Sequence, residues 1–138
     1  MSAQPEVSFA TGDGSKLSFR ATKRIAQDIQ FLTTVETPWL RCVAPSSTYM
    51  CGPPATFFAE LAANWRGWDG ERRWADLERR VALAATADSL GHVTIKVTLK
   101  GPNYQDPAEV RLIFEAGALE NMSVAMASMF DTPNNDPS

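Results

Sequence analysis

The chain has 138 residues, 44% of them hydrophobic and 21% charged, with 13 Lys plus Arg against 16 Asp plus Glu for a net charge of −3. That length fits one domain, which at this size buries about two-thirds of its unfolded surface and needs neither disulfide nor metal to be stable. The charge gives no basic footprint for a nucleic-acid backbone, no apolar run of about 18 residues offers a membrane span, and the apolar and aromatic content excludes wholesale disorder.

The opening residues Met1-Ser2-Ala3-Gln4-Pro5-Glu6 lack the basic and apolar regions of a secretory signal, so the expected setting is the cytoplasm. In that reducing compartment Cys42 and Cys51, separated by eight residues, are read as free, partly buried thiols. Their spacing fits neither a redox pair nor a zinc cluster, and one distant His cannot complete a metal shell; no metal and no cofactor is expected.

Taken in chain order, Val7-Ser8-Phe9-Ala10 and Leu17-Ser18-Phe19 alternate in period two around Thr11-Gly12-Asp13-Gly14-Ser15, which predicts a β-hairpin. Lys23-Arg24 reads as a solvated edge or turn. Ile29, Phe31, Thr33 and Val35 then face one way, Asp28, Gln30, Thr34 and Glu36 the other, and Thr37-Pro38 turns the chain into a strand over Trp39-Leu40-Arg41-Cys42-Val43. After Gly52-Pro53-Pro54, the placement of Phe57, Phe58, Leu61, Ala62 and Trp65 on one face predicts a helix over about 54–65, stopped at Gly67.

Val81, Leu83, Ala85 and Ala87, a turn at Asp88-Ser89-Leu90-Gly91, and the strict alternation of Val93, Ile95, Val97 and Leu99 with His92, Thr94, Lys96, Thr98 and Lys100 predict the clearest hairpin. A loop over 101–107 leads to a strand carrying Val110, Leu112 and Phe114. Leu119, Met122, Met126, Met129 and Phe130 share a stripe that predicts a C-terminal helix over about 118–130, and residues 131–138 read as a disordered tail. No internal repeat is visible. The expected architecture is a single α+β domain over 1–130, with a largely antiparallel sheet of about six or seven strands, the 54–65 helix packed on it, and the C-terminal helix.

Segment 65–80 is the most unusual stretch, with three of the four Trp and five Arg interleaved with four carboxylates. At Trp65-Arg66-Gly67-Trp68-Asp69-Gly70, followed by Trp74, Leu77-Glu78, Leu83, Ala85-Thr86, Asp88 and Gly91-His92-Val93-Thr94, the chain resembles an uncharacterised bacterial family, a domain of unknown function with the pattern W-x-G-W-x-G, W, L-E, A-T, G-H-V. The likeness spans residues 57–100 and, more loosely, the last strand and helix. It implies no activity. Small α+β domains of this sort look similar to immunity proteins of bacterial toxin systems, an analogy at the level of fold.

Trp65, Arg66, Trp68, Arg72, Arg73 and Trp74 are the candidate partner-binding residues, because Trp and Arg dominate interface hot spots and stack on one another. The competing reading makes the indoles core anchors of the helix-to-strand turn, with Gly67 and Gly70 at positive φ and the Arg side chains paired with Asp69, Glu71, Asp76 and Glu78. His92 could serve as a base oriented by Asp88, or the pair could simply brace a turn. No catalytic residue is assigned, since neither a nucleophile elbow nor a phosphate-cradling Gly-rich loop is present. The Met stripe reads as core, or as a dimer contact should Met and Val124 stand together outside it.

Residues 81–138 carry seven acids against three bases, a charge imbalance that would suit a basic partner. The expected function is therefore a non-enzymatic protein-binding domain, such as an immunity-type or regulatory inhibitor, acting through segment 65–80 and the acidic C-terminal half. The alternatives are a structural homo-oligomer, such as a homodimer, and a small-ligand or hydrolytic pocket near His92. Neither nucleic acid nor membrane is an expected partner.

Overall fold

The computed structural model describes residues 5–101 and 107–130; the predicted tail and residues 102–106 of the predicted loop lie outside them. Four strands come first, β1 (Glu6–Ala10), β2 (Lys16–Ile25), β3 (Asp28–Glu36) and β4 (Arg41–Ser47), followed by helix α1 (Ala55–Ala63). Four more follow, β5 (Arg72–Ala75), β6 (Val81–Ala87), β7 (His92–Leu99) and β8 (Ala108–Glu115), before a short 3-10 turn, Ala116–Ala118, leads into helix α2 (Leu119–Phe130). Each set of four forms its own antiparallel sheet in sequential order.

The chain is thus α+β and antiparallel, as the alternation predicts, but it has eight strands in two sheets rather than six or seven in one. Local pattern identifies strands and not their neighbours, and the connection carrying α1 separates β4 from β5, so the second run of strands starts a new sheet. The additional strand is β5. It has four residues and buries only Trp74, too little to display a period. An arrangement of four strands and a helix therefore occurs twice although the sequence itself shows no repeat.

The first hairpin turns through Gly14 at φ 89°, and the Asp13 carboxylate accepts hydrogen bonds from the Thr11 hydroxyl and, at 3.1 Å, from the Ser15 amide. Lys23 and Arg24 are exposed but continue β2 beyond a register shift between Ala21 and Lys23, so they are strand residues rather than a turn. In β3 the expected face is inside: Ile29, Phe31, Thr33 and Val35 are buried. Trp39 and Leu40 are not strand residues. They form the β3–β4 turn, where the Thr37 hydroxyl accepts both their amides at 3.2 Å, because Pro38 cannot donate to a ladder.

One hydrophobic cluster joins both sheets and both helices. From the first sheet, Phe31 meets Trp74 of β5 with ring centroids 6.3 Å apart and Phe130 of α2 at 5.1 Å, edge to face. Phe58 of α1 meets Phe19 of β2 edge to face at 6.0 Å. Each such contact contributes about 0.5–1.5 kcal/mol beyond burial. The helices pack on one another; α1 buries Phe57, Phe58 and Leu61, and α2 buries Leu119, Met122, Met126, Met129 and Phe130. Among the described residues no helix is long and apolar enough to cross a membrane.

Candidate functional site

Segment 65–80 starts where α1 ends. The Asn64 side chain donates to the Glu60 carbonyl at 2.8 Å, and Gly67, at φ 120°, donates its amide to the Asn64 carbonyl at 2.8 Å, which reverses the chain. Trp65 is carried past the helix end and is 54% exposed, off the face on which the helical period places it. The Arg66 guanidinium lies over its ring, 5.2 Å from the centroid. Trp68 is half-buried against the core, and its indole N–H donates to the Ala85 carbonyl at 3.1 Å.

In β5 the alternation of faces sorts the remaining three. Trp74, 8% exposed, and Arg72 are on the core side, and Arg72 reaches Glu60 of α1 at 3.3 Å. Arg73 faces out and grips Glu71 through two nitrogens, at 2.6 and 2.8 Å. The hydrogen bond from Arg73 is the main reason the Glu71 carboxyl sits below its ordinary pKa, and the charges of Arg73 and Lys96 add to it. Of the six candidate residues, then, Trp65, Arg66 and Arg73 are exposed, whereas Trp68, Arg72 and Trp74 hold the segment to the core. The core-anchor reading therefore holds for Trp68, Arg72 and Trp74, and not for the exposed Trp65, Arg66 and Arg73.

Asp76 closes the β5–β6 turn. It is buried, accepts the Arg80 amide at 2.7 Å, and receives the Ser46 hydroxyl of β4 at 2.5 Å, so one carboxylate ties the first sheet to the second. It is a turn anchor and not the partner of an Arg side chain. Beside it runs a cleft of about 540 Å³ lined by Leu32, Pro45, Tyr49, Leu77 and Arg80. Nearby, Cys42 and Cys51 are free and half-buried; burial pushes the Cys51 thiol up, and it donates to the Ser47 carbonyl at 3.3 Å.

His92 and Asp88 do meet: Nδ1 lies 3.1 Å from the carboxylate, which also accepts the amides of Leu90 and His92 at 2.9 Å. Glu115 of β8 stands 3.7 Å from Nε2. The amide of His92 does most to lower the Asp88 pKa. This exposed pair braces the β6–β7 turn, and its hydrogen bonds reach no nucleophile. Among the described residues no cluster of His, Cys, Asp and Glu is placed to hold a metal ion.

The described acids of the C-terminal half are spread among partners: Glu109 and Glu115 share the outer face of β8, where Glu109 pairs with Arg111 at 3.3 Å, Asp88 and Glu115 flank His92, and Glu120 sits in the first turn of α2. The Met stripe is core, as its first reading has it, with Met122, Met126 and Met129 buried and Val124 exposed, so Met and Val124 do not stand together outside it. Sequence reasoning also passed over Trp39, 88% exposed at a hairpin tip. The signal was Pro38, which marks a turn just where an aromatic follows.

The family of unknown function (DUF6228) matches residues 10–133. The chain belongs to it. The match runs from the last residue of β1 past the end of α2, and the function of DUF6228 is not established. No curated protein matches this DUF6228 chain. A solved structure described as crystal structures of trypanosoma bruciei MRP1/MRP2 is similar over 96% of this chain and 88% of that one, with 14% identity and a TM-score of 0.49.

Proposed function

We propose that this DUF6228 protein is a non-enzymatic binding domain that holds another protein, in the manner of an immunity-type or regulatory inhibitor in a bacterial cytoplasm. The observation that carries the reading is the exposed Trp65 with Arg66 stacked on it, next to a Trp68 anchored in the core. An aromatic and a guanidinium already stacked lose little freedom on contact, which is why such residues supply hot spots. The bacterial and cytoplasmic setting is part of the proposal, supported by the resemblance in segment 57–100 and by two thiols left unpaired.

The test is a paired capture from extract of the protein's own cells, using tagged wild type and the Trp65→Ala/Arg66→Ala variant. The expected result is one stoichiometric protein held by the wild type and bound at least tenfold more weakly by the variant, a loss of about 1.4 kcal/mol or more. Equal capture by both would remove the segment from the account.

A further inference from the structure

Apart from Arg72, the cations of the second sheet lie on its outer face, in an arrangement that no local stretch of sequence displays. Strand register sets Arg73 of β5 beside Ala84 of β6, Ala84 beside Lys96 of β7, and Lys96 beside Arg111 of β8. Neighbouring strands lie about 5 Å apart, so Arg73 and Lys96 stand roughly 10 Å apart with only a methyl group between them. The next position along, Ala82, is again alanine, on the other side of which Thr98 offers a hydroxyl. Alanine is a weak choice for an outward strand position, and here two half-buried ones make a floor.

The result is a hollow of about 530 Å³, floored by Ala82 and Ala84 and edged by Arg73, Arg79, Lys96 and Lys100. Glu71 is the carboxylate in its lining, and Arg73 holds it. Among the described residues Arg79 and Lys100 make no ion pair. Arg79 is also one of the non-glycine residues held in the left-handed region, at φ 57°, a conformation disfavoured for a side chain of its kind. The first sheet is different: on its outer face Lys16 and Arg41 both lean on Glu36, at 3.7 and 4.0 Å. In a chain of net charge −3, the alanine floor is thus edged by four cations against the one carboxylate of Glu71, with Glu109 and Glu115 farther across the same face on β8.

We propose that this hollow is an anion site for a compact small molecule bearing several phosphates. Lys96 and Lys100 supply point charges, and the Thr98 hydroxyl a donor at the floor. Arg73 can exchange Glu71 for a phosphate, with which its fork makes paired hydrogen bonds. A nucleic-acid strand fits less well, since the one aromatic in the lining, Trp74, is buried on the core side and leaves no ring for a base to stack on. An acidic peptide fits the floor less well too, because β6 and β7 are central strands whose backbone groups are paired there on both sides, leaving main-chain partners only at the β5 edge. The site is separate from the Trp65 and Arg66 surface, and its fate is independent of that reading.

Isothermal titration of the full chain with sodium tripolyphosphate tests the proposal. The expected result is saturable one-to-one binding that weakens at least tenfold in Lys96→Ala/Lys100→Ala, persists in Lys96→Arg/Lys100→Arg, and is unchanged in Lys16→Ala/Arg41→Ala. Amide shifts at Ala82, Ala84 and Thr98 on titration would locate it. Unchanged denaturation midpoints in the variants would show that the loss is not unfolding. No saturation at millimolar tripolyphosphate, or equal weakening in the Lys16/Arg41 variant, overturns the site. A single-stranded oligonucleotide or a poly-glutamate peptide that binds more tightly through Lys96 and Lys100 than tripolyphosphate does overturns the class of ligand.

Discussion

Trp65, Trp68 and Trp74 lie within ten residues of one another and do three different things, because a turn, a hydrogen bond and a strand face each decide one of them. Truncation separates them. Trp74→Ala, which empties a core position, should cost about 3–5 kcal/mol, whereas Trp65→Ala should stay within about 0.5 kcal/mol of wild type, both read from urea denaturation. A large loss at Trp65 would mean that its ring is structural. Asp88 gives a second residue-scale prediction. Its folded pKa lies below the ordinary carboxylate value because backbone amides bond the charged form, so it contributes stability that is present above its unfolded pKa and lost as pH falls through the folded value. Asp88→Asn should therefore flatten the decline of the denaturation midpoint in that acid window, and an unaltered slope would contradict the assignment.

At the scale of elements, the β5–β6 turn and β4 are linked through Asp76 and Ser46. Asp76→Ala leaves a buried amide without its acceptor and should cost about 1–3 kcal/mol, while Ser46→Ala, which removes only the inter-sheet hydrogen bond, should cost about 1 kcal/mol; chemical denaturation of both variants checks the order. This scale also shows what a sequence can and cannot display. The β7 alternation and the α2 stripe are legible because burial on one side imposes a period over eight or more residues, and every residue named for those faces is buried. β5 is too short for that. The row Arg73, Ala84, Lys96 and Arg111 is invisible for a different reason: it runs across strands, and a charge tally along residues 81–138 reports an acidic half while the register gathers cations at one hollow of the sheet.

For the whole molecule, the shared cluster through Phe31, Trp74 and Phe130 makes the two sets of four strands and a helix depend on each other. Calorimetry should accordingly show one transition with equal calorimetric and van't Hoff enthalpies, and a fragment ending at Trp68 should not fold by itself. Two separated transitions would mean that each sheet carries its own core. The molecule so held presents two features of opposite kind to solvent, an aromatic and cationic tip at Trp65 and Arg66 and a polar, positively charged sheet face. Neither needs catalytic machinery to act.

The most direct measurement of the central claim is the native mass of the protein purified, under gentle conditions, from its own cells. The account predicts a heterocomplex of fixed stoichiometry that dissociates as salt rises, since charged contacts at an exposed rim are screened. A bare monomer, or a homo-oligomer whose mass follows only its own concentration, would contradict it.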